Sequence, residues 1–211
     1  MMQRRALARI YAWAVPTKEA ISHIVKLPQP IVELGAGTGY WARLIAKAGG
    51  TVHAYDKHTK ASKNKYGMKP KYYAIKRGVP GSILKPGNKW RTLLLCWPDY
   101  NTSFAYDAAR LFQGTHLVYI GEGDGGCTGD DKFHDYLEAN YKLLRTVTIP
   151  QWPGIRDKIF ILERNKKHEK VPATNSKTKK PTFNQQRLHA KRGKTMGQIC
   201  GRLGTSVRKE K

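Results

Sequence analysis

Between residues 31 and 49 the chain reads IVELGAGTGYWARLIAKAG, with glycines at 35, 37 and 39 set between an apolar run of strand type and an apolar pattern of helical period. Glycine reaches positive φ without penalty and carries no Cβ, so three of them in five residues mark a turn whose backbone is held close to something else. Strand, glycine turn, helix is the unit of an open α/β sheet, where ligands bind at the carboxyl ends of strands and at helix N-termini. A phosphate-cradling loop of the nucleoside triphosphatases is excluded, because no Gly-Lys-Ser/Thr follows at the required spacing. The dinucleotide pattern GxGxxG fits imperfectly, since its third glycine falls on Tyr40. What stands in the sequence is ExGxGxG, from Glu33 to Gly39.

Downstream, strand and helix signals alternate. Residues 40–48 carry Trp41, Leu44, Ile45 and Ala48 on one helical face, and Gly49-Gly50 stops the helix. Residues 51–55 read as a strand, 57–71 as a basic loop and 72–75 as a weak strand. RTLLLCW (91–97) is a fully buried strand bounded by Pro86-Gly87 and Pro98. A helix follows from Thr102 to Gly114, then the strand HLVYI (116–120), the glycine-rich GEGDGGCTGDD, and a helix over 132–141. LLRTVTI and DKIFILERN flank Pro150, Pro153 and Gly154 and predict an antiparallel pair. The expected fold is therefore α/β: a Rossmann-like three-layer sandwich around a seven-stranded, mostly parallel sheet with an antiparallel last strand.

VELGAGTGYWA resembles motif I of the class I S-adenosylmethionine (SAM)-dependent methyltransferases, and the resemblance covers roughly residues 30–164. Asp56, closing VHAYD, matches the acid that takes the ribose hydroxyls in that family. An acid about 20 residues beyond the loop suits nicotinamide enzymes equally, so Asp56 alone does not discriminate. The glycine spacing, Tyr40 in place of a third dinucleotide glycine, and the antiparallel end of the sheet favour SAM. The resemblance implies a cofactor site made by Glu33, Gly35, Ala36, Gly37, Thr38, Gly39 and Asp56, with Cys96 and Trp97 at the end of the fourth strand. YAWAVPT, LLLCWPDY and GEGDGGCTGDD together look like a set of small methyltransferases of microbial and viral genomes. In that reading Tyr11, Trp13 and Pro16 cover the cofactor pocket; packing of the two rings on the sheet edge is the other reading.

The methyl acceptor is expected beside the ends of the fourth and fifth strands. Methyltransferases acting on exocyclic amines carry Asn/Asp/Ser-Pro-Pro-aromatic there, and the aligned residues are Trp97, Pro98, Asp99 and Tyr100. The proline and the last aromatic are kept, whereas the first polar residue is Trp and the second proline is Asp. Asp99 is a candidate to supply the lost acceptor, and Tyr100 and Trp97 are candidate stacking surfaces for a base. Glu122 is the candidate carboxylate to orient a nucleophile or take its proton. Asp130 and Asp131 are read as turn residues, with Asp131 near the cap of the next helix. No metal site is expected.

Charge points to the partner. The 211 residues hold 39 Lys and Arg against 15 Asp and Glu, a net +24, which is an electrostatic footprint for nucleic acid, RNA or DNA. Residues 164–211 contribute fifteen of the basic residues and two acids. The organisation expected is an N-terminal cover segment (1–29), the methyltransferase domain (30–164) and a basic C-terminal extension (165–211), partly disordered or in short helices. Lys177, Lys179, Lys180, Arg187, Lys191, Arg192 and Lys194 are the expected phosphate contacts. GKTMGQICGRLGTSV also resembles the first part of a helix-turn-helix, but five residues after Ser206 are too few for a recognition helix. Cys96, Cys127 and Cys200 form no CxxC pair, which argues for a reducing intracellular compartment: cytoplasm, nucleus or an organelle. No apolar run reaches membrane-spanning length, so no membrane partner is expected; the oligomeric state is open. The function expected is methyl transfer to nucleic acid. The alternative is a non-catalytic protein of the same fold that docks on RNA or a ribonucleoprotein.

Overall fold

The run TLLLC, apolar on both faces, becomes a central strand with helices over each side. In the computed structural model, which describes residues 2–60, 63 and 66–165, the order is α1 (Met2–Ile10), α2 (Lys18–Val25), β1 (Ile31–Leu34), α3 (Tyr40–Lys47), β2 (Val52–Asp56), β3 (Ile75–Arg77), α4 (Pro80–Ile83), β4 (Thr92–Cys96), α5 (Phe104–Leu111), β5 (His116–Gly121), α6 (Asp131–Asn140), β6 (Tyr141–Thr148) and β7 (Lys158–Arg164). One seven-stranded sheet runs β3-β2-β1-β4-β5-β7-β6. β1 pairs in parallel with β2 and β4, β2 with β3 and β4 with β5, while β7 lies antiparallel between β5 and β6. The extension after Asn165, with the seven basic residues and the short helices expected there, falls outside the described residues.

Because successive strand side chains point to opposite faces, the central strands feed two cores. On one face Ile31, Leu94, Val118, Ile120, Ile159 and Ile161 pack with Ile21 and Ile24 of α2 and Trp41 and Ile45 of α3. On the other, Val32, Leu34, Leu93, Leu95, Leu117 and Tyr119 meet Ala105, Ala108 and Ala109 of α5 and Phe133 and Leu137 of α6. The alanines let α5 approach the sheet closely. The Thr17 side chain accepts from Ala20 N–H at the start of α2, and Asp130 accepts from Phe133 N–H at the start of α6. The cap of α6 is thus Asp130, one residue earlier than the sequence indicates.

One local expectation shifts, and helices appear in two segments where the sequence did not indicate them. Residues 1–29 hold two helices; in α1 the arginines interrupt the apolar pattern, and Leu7 and Ile10 stay exposed. The weak strand over 72–75 forms instead as Ile75–Arg77, because the pairing register sets Ile75 against Ala54, which releases the Tyr72 and Tyr73 rings for other contacts. The single turn α4 breaks the segment before β4 and carries no periodic signal.

The chain passes from β3 at one edge to β4 on the far side of β1, so the connections leaving β1 and β4 diverge. This is the topological switch point, where open α/β sheets leave a crevice at their carboxyl edge.

Candidate functional site

The glycine turn after β1 is held from three sides. Gly35 and Ala36 donate their N–H groups to the Tyr55 carbonyl at 2.9 and 3.1 Å, binding the turn to β2. Gly37 N–H donates to Asp56 Oδ2 at 2.9 Å, while Asp56 Oδ1 accepts from His58 N–H at 2.8 Å. Asp56 is buried, yet each carboxylate oxygen accepts a single backbone proton, so lone pairs remain at the end of β2. Gly39 caps α3 at φ 77°, and a Cβ there would stand 2.9 Å from Tyr73 Cβ and 3.1 Å from its backbone nitrogen. Its bareness therefore makes room for the chain's own 72–73 segment rather than for a ligand.

Thr38 ties the surrounding segments to this turn. Its hydroxyl donates to the Tyr11 carbonyl, and its carbonyl accepts from Lys71 and Tyr72 N–H at 3.0 Å each. The Tyr11 ring consequently stacks on Tyr72 at 5.8 Å and meets the edge of Tyr40 at 5.2 Å. Trp13 packs on Trp97 at 5.9 Å and on Tyr66 at 5.3 Å. Residues 11–13 thus lie at the carboxyl edge, against the turn and the end of β4 alike.

Glu33, in β1 behind the turn, is 2% exposed and has no hydrogen-bond partner at Oε2. Burial pushes its carboxyl up to about 8; a hydrogen bond from Ala42 N–H opposes the shift and the Asp56 charge adds to it. An unpartnered buried acceptor under the glycine turn, with spare acceptor capacity on Asp56, suits a ligand that brings hydroxyls and a cationic end. Cys96 ends β4 with its thiol accepting from Ala14 N–H, and burial holds that thiol well above its ordinary range.

At the ends of β4 and β5 the structure places the candidates differently from one another. Trp97 has φ 54°, left-handed backbone that a bulky residue rarely adopts, and its indole N–H donates to Asp157 Oδ2 at 3.0 Å. Asp99 bridges to Thr128 and turns the chain into α5: its side chain accepts from Asn101 N–H and its carbonyl from the Thr102 hydroxyl. Tyr100 follows, half-buried. Glu122 is buried and both carboxylate oxygens are engaged by backbone, Oε2 by Cys127 N–H at 3.0 Å and Oε1 by Arg156 N–H at 2.9 Å. That geometry braces the 122–128 loop against the chain entering β7.

Two residues that the sequence reading missed complete this edge. Asp157 precedes β7, and in an antiparallel strand the first residues, not the last, sit beside the carboxyl ends of the parallel ones; Lys158 faces Gly121. That rule is the signal that would have found it. Arg4 reaches in from α1, its guanidinium carbon 4.3 Å from the Trp97 ring and 4.9 Å from Trp13. Nothing in a run of scattered arginines singles it out. Among the described residues, no group of three or more His, Cys, Asp and Glu could hold a metal ion, and no helix is long and apolar enough to cross a membrane. An open depression lined by Gln29, Pro30, Lys89, Trp90 and Arg91 lies at the opposite edge, away from this chemistry.

One parallel sheet broken by an antiparallel β7, a switch point between β1 and β4, and a glycine turn answered by an acid after β2 decide the architecture. The fold is that of the class I methyltransferases. No protein-family model and no curated protein sequence matches the chain. Among solved structures, the chain is similar to magnesium protoporphyrin IX methyltransferase from Synechocystis PCC 6803 with bound SAH, at 14% identity over 77% of this chain and 84% of that one, TM-score 0.49. It is also similar to ribosomal protein L11 methylase from Lactobacillus delbrueckii subsp. bulgaricus, at 14% identity over 78% of each chain, TM-score 0.46. A third is TrmK from M. capricolum in complex with S-adenosyl-homocysteine, at 12% identity over 72% and 70%, TM-score 0.45.

Proposed function

We propose that this chain is a SAM-dependent methyltransferase that acts on nucleic acid, RNA or DNA. The observation that carries the cofactor reading is the acceptor pair at the switch point, the unpartnered Glu33 Oε2 and the Asp56 carboxylate bonded to Gly37. In this reading Asp56 takes the ribose hydroxyls and Glu33 faces the cationic end, while Tyr11 and Thr38 close the N-terminal segment over them. SAM supplies a methyl group on a sulfonium, an activated leaving group, so the chain's contribution is positioning and the local field. Trp97, Asp99 and Tyr100 line the side from which an acceptor would approach. The net +24 supports a polyanionic substrate.

Tritiated methyl transfer from SAM to separate pools of DNA, RNA and protein tests the reading. Incorporation into a nucleic-acid pool is expected, and SAM binding with no incorporation into any pool would sink it. The second reading, a non-catalytic binder of RNA, is favoured by one observation: Arg4 is wedged against Trp97 at the acceptor side. Binding of RNA without transfer is the result it predicts.

The basic extension yields a separate expectation. Replacing Lys177, Lys179, Lys180, Arg187, Lys191, Arg192 and Lys194 by Gln in the full chain should flatten the dependence of log K on log salt for duplex DNA, by up to about six units if every residue meets a phosphate. An unchanged slope in a salt titration would mean that the grip lies elsewhere.

A further inference from the structure

The edge formed by β4, β5 and the entry to β7 holds an unusual imbalance. Asp157 is 1% exposed; Oδ2 accepts from the Trp97 indole, but Oδ1 has no partner. Arg4 is 8% exposed, and its Nε and Nη2 have no partner either. The two charges face one another at a distance, with no ion pair within 4 Å between them. Glu122 is engaged by backbone, each oxygen accepting one N–H, and it forms no ion pair with Arg4 within 4 Å. Buried polar atoms left bare are rare in folded proteins, and bare atoms of opposite kind on one aromatic-lined edge point to a missing guest.

The chemistry of that guest is constrained. It must be flat, because the walls are the rings of Trp97 and Trp13. It must donate an N–H, because the bare group on the wall is a carboxylate oxygen. The guanidinium of Arg4 is itself a flat N–H donor resting on both rings, so the chain carries its own imperfect stand-in. Among the parts of a nucleic acid, the amino-bearing edges of adenine, cytosine and guanine meet both conditions best; the ring N–H of uracil and of hypoxanthine is flanked by a carbonyl oxygen, which a carboxylate repels. We propose that this edge is a base subsite, that Asp157 Oδ1 accepts the exocyclic amine of the bound base, that Trp97 is its stacking surface, and that Arg4 holds the subsite between substrates and withdraws with α1 as the base enters. This rests on the reading of the chain as a protein that acts on nucleic acid. It also accounts for the broken tetrad: where a polar residue would accept the amine, Trp97 stands, and its indole holds Asp157 in place to do so.

The test is a tryptophan-fluorescence titration of the full-length protein with nucleoside monophosphates, which needs no methyl transfer. AMP, CMP and GMP should bind about tenfold or more tighter than IMP and UMP, the effect of one hydrogen bond to a charged group. Asp157→Asn presents an amide N–H where an acceptor was, and should collapse that preference toward one while SAM affinity stays within about twofold. Arg4→Ala should raise the affinity for the amino-bearing nucleotides several-fold, because an internal competitor is gone; should Asp157→Asn fail to fold, this sign decides alone. Equal binding of all five nucleotides, a loss of affinity in Arg4→Ala, or quenching by N-acetylarginine amide in preference to the nucleotides overturns the proposal. Amine selectivity in a protein that transfers no methyl leaves the subsite and removes the enzyme; methylation of an RNA pool without amine selectivity does the reverse.

Discussion

Asp56→Ala should abolish SAM binding for practical purposes, lowering affinity about 100-fold or more, as the loss of two hydrogen bonds to a charged acceptor requires. Two effects add. The carboxylate that would take the ribose hydroxyls is removed, and Gly37 N–H and His58 N–H lose their partners at 2.9 and 2.8 Å. The first is a direct loss to the ligand; the second loosens the turn that the ligand lies against. Stability should fall by about 1–3 kcal/mol, the usual penalty for buried donors left bare, so the folded protein remains measurable by calorimetry at moderate temperature. Asp56→Asn separates the parts only slightly. Whichever way its amide is turned, one N–H donor meets another, from Gly37 or from His58, so it should bind SAM almost as poorly. An Asp56→Ala protein whose SAM affinity stays within threefold of the parent would refute the cofactor assignment.

How far the sequence reached follows from where each element lies. The buried strands were legible because TLLLC and HLVYI are apolar at every position and flanked by breakers, and α3 and α5 because their apolar residues recur at helical spacing. The turn between β1 and α3 was legible for the same local reason. What the sequence hid was decided by long-range contacts. Asp157 comes to the site because β7 runs backwards, 60 residues after the indole it holds. Arg4 comes to it because α1 folds across the edge, and Glu122 becomes a brace because Arg156, 34 residues on, needs an acceptor for its N–H. The role expected of Gly39 shifted likewise: its positive φ was foreseeable, but the neighbour filling the space is Tyr73. Local periodicity finds elements, whereas the partners of single polar groups depend on strand direction and crossing connections.

Glu33→Gln should make the protein more stable at pH 8 and a poorer binder of SAM at the same pH. The sign follows from the direction of the shift. The Glu33 carboxyl moves from 4.5 up to about 8 in the folded chain, chiefly by burial, so the folded state holds this proton more tightly than the unfolded one. Its contribution is fully present below pH 4.5 and is lost as the pH rises toward 8, by about 1.4 kcal/mol for each pH unit within that window. Glutamine has no proton to lose and can still accept from Ala42 N–H, so denaturant midpoints of parent and variant should coincide near pH 4.5 and diverge up to pH 8, with the variant ahead. Parallel curves across that range would show that Glu33 does not titrate there. The cost appears in binding. In the proposed reading the unpartnered Oε2 accepts the ligand's cationic end, and a neutral amide in its place would remove a charge-assisted contact, about tenfold or more in affinity. A residue that the fold would be better without, held ionisable under the glycine turn, is the pattern expected where a site keeps strain for a ligand to relieve. If Glu33→Gln instead lost stability at every pH and kept its SAM affinity, Glu33 would be a structural acceptor for Ala42 and the cationic end of the ligand would have to be held from elsewhere.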